Sequence, residues 1–185
     1  MFDCTSVPPH PVHHRDCGCA PPGRRALLGL AAAALGATAL PRGAGAASGT
    51  YDAMLLNCID PRFTTHGLFF MASQGMRDKY SQFVVAGGPI GAVHPRFAAW
   101  HAAFWENLAV SVQLHSITRV VALTHRDCGA AKIALGDAAV ATRQAETLSH
   151  GEALRAFRAE AARRQPALAV TAGIMDLDGS VQPVA

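Results

Sequence analysis

The feature that most constrains the fold is a recurring alternation. Short apolar runs, each only four to ten residues long, are separated by stretches with helical spacing. The runs are 53–57 (AMLLN), 83–86 (FVVA), 119–124 (RVVALT) and 167–176 (ALAVTAGIMD). Each is too short and too evenly apolar for a surface helix, and suits a strand buried on both faces. Between them, 65–82 has helical character interrupted by Gly75, and Phe97, Trp100, Phe104, Leu108 and Val112 recur at steps of three or four. GAAKIAL from Gly129 and the stretch Ala145–Arg164 complete the helical set. Strands spaced by helices imply an α/β fold, with a mostly parallel central sheet flanked by helices. In such folds ligands gather at the carboxyl ends of the strands. The residues just past each apolar run are therefore the first candidates for a site.

Two of the runs lead into cysteines, one directly and one after three intervening residues. The first leads into NCIDPR, offering Cys58, Asp60 and Arg62 at alternate positions; in extended chain these would point to one side. Pro61 biases Asp60 toward extended backbone. The second leads into THRDCG, with His125 and Cys128 three apart in a turn that opens a helix. A thiol at a helix N-terminus is acidified by the backbone amides and the helix dipole. Two thiolates and one imidazole suit Zn²⁺, and three protein ligands leave a fourth position for water. A hydroxide formed there would find an acceptor in Asp60, and Arg62 would hold Asp60 through a bidentate pair. A Cys58–Cys128 disulfide is the competing reading for two cysteines in an exported chain.

Export is suggested by the first 46 residues. HRDCG occurs here too, within HHRDCGCA at 13–20, among prolines and without apolar periodicity, so the copy is read as carrying no working site. Arg24–Arg25 precede an apolar run from Ala26 to Leu40, and Ala44–Gly45–Ala46 offers a small-residue cleavage site. The run falls short of the ~20 apolar residues of a stable membrane span, and the paired arginines resemble a twin-arginine export signal. Residues 1–46 therefore read as a leader, 47–185 as one zinc domain, and the location as periplasmic or secreted. The formal charge of +3 is concentrated in the leader, and no basic stripe with interleaved aromatics argues for a nucleic-acid partner.

CxDxR at 58–62 followed by HxxCG at 125–129, with Ala86–Gly87 on a strand between, resembles the β-class carbonic anhydrases. VVAGGP (84–89), the long helix before RVVALTHRDCGAAKIAL, and AGIMDLDGSV also look similar, so the resemblance spans roughly 50–185. It departs from the usual pattern at Pro61, Thr124 and Gly88, where serine, glycine and asparagine are usual, and at Val84–Val85. By position the resemblance implies Cys58, His125 and Cys128 as zinc ligands and Asp60 with Arg62 as the catalytic dyad. It implies reversible hydration of CO₂ to bicarbonate and a proton by zinc-bound hydroxide, and a homodimer or larger homo-oligomer. COS or CS₂ hydrolysis on the same scaffold, or a non-catalytic zinc or redox protein, are the alternatives. Trp100, Phe104 and Trp105 are expected to pack in the core or a subunit interface. Lys132 is expected to be solvated, and His66, His94, His101, His115 and His150 to be structural or exposed.

Overall fold

The computed structural model describes residues 49–185, so the leader, its proposed cleavage site and the first HRDCG copy lie outside the described residues. Within them the order is β1 (Ala53–Asn57), a 3-10 turn (Pro61–Phe63), α1 (Thr64–Ser73), β2 (Tyr80–Val84) and α2 (Pro89–Val93). A second 3-10 turn (Pro95–Phe97) leads into α3 (Ala98–His115), then β3 (Arg119–His125) and α4 (Gly129–Leu135). A third 3-10 turn (Asp137–Val140), α5 (Arg143–Arg164), β4 (Ala169–Met175) and β5 (Val181–Pro183) complete the order. No helix among the described residues is long and apolar enough to cross a membrane.

The strands form one five-stranded sheet in the order β2-β1-β3-β4-β5. The first four are mutually parallel, and β5 turns back antiparallel on β4. β1 is buried along its whole length and β3 is buried from Val120 to His125, as their apolar runs require. Side chains alternate between two layers. Met54, Leu56, Val120, Ala122 and Ile174 face Phe104 and Leu108 of α3 and Leu154 and Phe157 of α5. Ala53, Leu55, Val121, Leu123 and Met175 face Phe63, Met71 and Met76 on the other side. Burying side chains such as Phe104 and Leu55, both fully inaccessible, contributes about 1.5–3 kcal/mol each.

Two sequence expectations need correction, the start and the end of the second strand. The second strand begins at Tyr80 rather than Phe83, and Tyr80, Ser81 and Gln82 pair with Ala53, Met54 and Leu55 instead of extending a helix. As an edge strand only half covered, β2 tolerates polar residues that lack a strand's apolar signature. Val85 and Ala86 run on into the next turn, with Val85 N–H still donating to Asn57 O at 3.1 Å. Of the aromatics expected in the core or a subunit interface, Trp100 lies outside the core, 38% exposed and stacked flat on Phe97 with ring centroids 4.5 Å apart. Phe104 and Trp105 are buried, and Lys132 is exposed in a surface ion pair with Asp137.

Candidate metal centre

The parallel pairing of β1 with β3 places their carboxyl ends side by side. Cys58 leaves the end of β1, His125 is the last residue of β3, and Cys128 caps α4. All three are buried, and their ligand atoms lie within 4.8 Å of one another. Both cysteines are free thiols.

The imidazole is fixed on two sides. Its Nδ1 lies 2.8 Å from Arg126 O, so Nδ1 carries the proton and Nε2 keeps its lone pair. Phe63 stacks on the ring at 4.1 Å between centroids. Nε2 is buried with no hydrogen-bond partner. A buried acceptor left in that state costs about 1–3 kcal/mol, and a cation between the sulfurs would satisfy it. The carbonyl behind Nδ1 is the outer contact that orients a metal-binding histidine. The donor set fits zinc.

The two sulfurs shift each other's ionisation in opposite directions. Gly87 N–H donates to Cys58 Sγ at 3.2 Å. The Cys128 thiol beside it, then the Asp60 and Gly87 amides, pull the Cys58 pKa down to about 4 against the opposing effect of burial. Cys128 is pushed up, because it hydrogen-bonds to Cys58, is buried and feels the neighbouring charge. The helix-start amides of Ala130 and Ala131 do act to acidify Cys128, as its position predicts, but its neighbour outweighs them.

Asp60 and Arg62 are brought together by a different local geometry from the expected one. Asp60 is extended (φ −60°, ψ 120°), consistent with the proline after it, but the chain then enters the 3-10 turn at Pro61. Arg62 therefore folds back over Asp60 instead of standing parallel to it. Its backbone N–H donates to Asp60 Oδ1 at 3.0 Å, capping the turn. Its Nε reaches Oδ1 at 3.0 Å and its Nη2 reaches Oδ2 at 2.7 Å, a bidentate pair. Arg62 holds the Asp60 carboxyl down at about 2. Asp60 stands outside the three-ligand group.

Beside Cys58 and Asp60 opens a cleft of about 390 Å³, walled also by Ile59, Phe97, Trp100, Ala130 and Ile133. Its surface is mostly apolar, and Asp60 is the charged residue in its lining. Behind the ligands, the space bounded by Phe63, Leu123, His125 and Met175 is only about 10 Å³, no more than a single water needs. Of the three ligands, Cys58 lines the cleft, while Cys128 borders a separate space of about 60 Å³ walled by Asp127, Lys132 and Glu146.

Several contributors escape a reading of the sequence. Asp127 accepts from Arg62 Nη1 at Oδ2 (2.8 Å) and from Nη2 at its carbonyl (3.1 Å), linking the two cysteine motifs. Glu146, from α5, accepts the Asp127 N–H at 2.7 Å. Arg126 is buried beneath the turn, with Nη2 on Gln182 Oε1 at 2.8 Å and Nη1 3.7 Å from Glu146 Oε2. The position of Asp127 inside HRDCG was the available signal for the first; nothing local marks Glu146.

No protein-family model matches the sequence. An uncharacterized protein of Rickettsia conorii is 28% identical over 131 residues, covering 71% of this chain and 70% of that one. A second, from Rickettsia bellii, is 26% identical over 131 residues, covering 71% and 80%. Among solved structures, the Coccomyxa β-carbonic anhydrase in complex with acetazolamide superposes with a TM-score of 0.50 at 16% identity, covering 86% of this chain and 82% of that one. The β-carbonic anhydrase CafA of Aspergillus fumigatus gives 0.49 at 17% identity, covering 74% and 76%. At such identities the likeness is one of architecture: the chain has the α/β fold seen in β-carbonic anhydrases.

Proposed function

We propose that this chain is an exported, zinc-dependent carbonic anhydrase that interconverts CO₂ with bicarbonate and a proton. The observation that carries the reading is the buried Cys58–His125–Cys128 group, with His125 Nε2 unpartnered, whose Cys58 lines an apolar cleft beside a carboxylate locked by arginine. Cys58, His125 and Cys128 would hold the ion. Zinc bound there supplies Lewis acidity, which lowers the pKa of a water from ~15.7 toward ~7.

The remaining work falls to the chain. Asp60, ionised and pinned by Arg62, can only accept hydrogen bonds. It takes one from a hydroxyl in the cleft and so turns the oxygen lone pair toward the incoming carbon. Phe97, Trp100, Ile59 and Ile133 line the approach; apolar walls take up CO₂, which carries no net dipole, and exclude bulk water. The anionic product then sits beside the Asp60 carboxylate, whose charge favours release. The exposed apolar surface of Ile59 (61%) and Ile133 (63%) at the cleft mouth supports a homo-oligomer that covers it. Twin-arginine export of the folded chain would let zinc load in the reducing cytoplasm and shield both thiolates afterwards.

The test pairs zinc quantification with stopped-flow CO₂ hydration on the exported protein, with COS and CS₂ assayed on the same preparation. One zinc per chain and CO₂ turnover are expected, and Asp60→Ala should keep its zinc while losing about 10²–10⁴ in rate. A zinc-free active protein refutes the metal. Turnover of COS or CS₂ alone reassigns the substrate, and zinc without any turnover leaves a non-catalytic zinc protein.

A further inference from the structure

Arg62 is shared. One edge of its guanidinium, Nε and Nη2, engages the Asp60 carboxylate, while Nη1 donates to Asp127 Oδ2 at 2.8 Å and Nη2 also reaches Asp127 O at 3.1 Å. The planar guanidinium transmits a constraint on one edge to the other. Asp127 is itself held in an unusual backbone state, with φ +56°, a region that costs most residues about 1–2 kcal/mol. The Asp127 N–H donates to Oε1 of the buried Glu146 at 2.7 Å, which fixes the residue there. That twist carries both the carbonyl and the carboxylate of Asp127 to Arg62, 65 positions away in sequence.

We propose that Asp127 is a positioning residue: by occupying one edge of Arg62 it holds the other edge on Asp60, keeping the Asp60 carboxylate in the cleft and away from Cys58, His125 and Cys128. Without the Asp127 carboxylate, Nη1 loses its partner, and apart from the Asp127 carbonyl at Nη2 Arg62 would be tied only to a neighbour two residues away on the same exposed turn. Its side chain is 48% exposed, and water would compete for it. Asp60 would then be free to swing toward a cation at the sulfurs. The inference rests on the proposed role of the Asp60–Arg62 pair.

The test is Asp127→Gly, since glycine accepts φ +56° without strain and removes the carboxylate without endangering the turn. Asp127→Asn tolerates the same backbone and keeps an oxygen for Nη1. With zinc bound, Asp127→Gly should match the parent in metal content and thermal midpoint and lose roughly tenfold in kcat with KM little changed, as expected for loss of one charge-assisted hydrogen bond. Asp127→Asn should recover to within about threefold. Independently of turnover, the visible absorption of the cobalt(II)-loaded Asp127→Gly protein should shift in the same direction as that of Arg62→Ala, and adding Asp60→Asn should abolish the shift. A cobalt spectrum identical to the parent's in Asp127→Gly overturns the proposal. If that happens while Asp60→Ala is inactive, the dyad stands and only Asp127's part falls. If Asp60→Ala is fully active, the reading beneath both falls, and the cobalt shift alone then decides whether Asp127 restrains Asp60.

Discussion

Gly88→Ala should damage this protein at the centre rather than at the surface, and the size of the effect is set by the backbone. Gly88 sits at φ +54°, ψ −116°, just before α2. An added Cβ would lie 2.9 Å from Leu123 O, 3.1 Å from Asn57 C and 3.2 Å from Asn57 Cα. These are backbone atoms at the ends of β3 and β1, fixed by the pairing of Leu56 with Ala122, so no side chain can rotate aside. The dihedral strain costs about 1–3 kcal/mol and the overpacking about 1–3 kcal/mol more, a total near 4 kcal/mol. For a domain of this size that corresponds to a fall of about 15 °C in Tm. The damage is directional as well: Asn57 precedes Cys58 and Leu123 lies two before His125, so parting the strand ends separates the ligands. Zinc per chain should fall along with the thermal midpoint followed by circular dichroism. Gly75→Ala is the control, since Gly75 has φ +73° but nothing within 4 Å of its added Cβ; strain alone should cost about 1–2 kcal/mol and leave zinc untouched. Two results would refute the coupling of strand ends to ligands: Gly88→Ala melting no lower than Gly75→Ala, or melting lower yet keeping full zinc.

Cys58→Ser should abolish stoichiometric zinc by elemental analysis and cancel the stabilisation that excess zinc gives the parent, about 4 kcal/mol at a thousand times Kd. Zinc titrated into the metal-free protein at pH 8 should displace about two protons per chain rather than three, one from Cys128, since Cys58 is already lowered, and one from a water whose pKa zinc would bring toward ~7; calorimetry in buffers of different ionisation enthalpy counts them. His150 is fully buried, and burial first, then Arg126 and His125, holds its pKa down at about 4 against an ordinary 6.5. Between those values the unfolded chain binds the extra proton, so stability falls as pH drops, by about 1.4 kcal/mol per unit; from pH 6.5 to 5 the parent should lose about 2 kcal/mol more than His150→Leu in urea unfolding.

What the sequence discloses depends on how locally each feature is determined. β1 and β3 are legible because a strand buried on both faces must be apolar throughout; Cys58 comes directly after the first, and Cys128 opens the helix that follows the second. β2 is misread at its start because an edge strand needs only partners, and Ser81 and Gln82 find theirs in β1. α2 has five residues, too few to show a period. The pairing of Asp60 with Arg62 is legible as chemistry but not as shape. Alternation in an extended chain and a carboxylate capping a 3-10 turn both bring i and i+2 together, and the proline that favours the first also begins the second. Asp127 and Glu146 lie beyond any local rule, because a left-handed aspartate and the docking of α5 against the turn are decided by tertiary packing.

The surroundings of the two sulfurs favour a metal over a disulfide. A disulfide would be neutral and a weak acceptor. It would leave the Gly87 N–H at Cys58, and the Ala130 and Ala131 amides that act on Cys128, directed at atoms with little use for them. It would also leave His125 Nε2 buried and unpaired, while Phe63 and the Arg126 carbonyl still hold the ring in that orientation. Each of these groups favours negative charge on sulfur or a cation beside it. Stabilising the thiolate of a dithiol pair stabilises the reduced form and makes the corresponding disulfide easier to reduce. An environment selected for a bridge would be expected to do the reverse. A divalent cation uses both thiolates and the imidazole at once, and it relieves the like-charge repulsion that otherwise keeps a proton on Cys128.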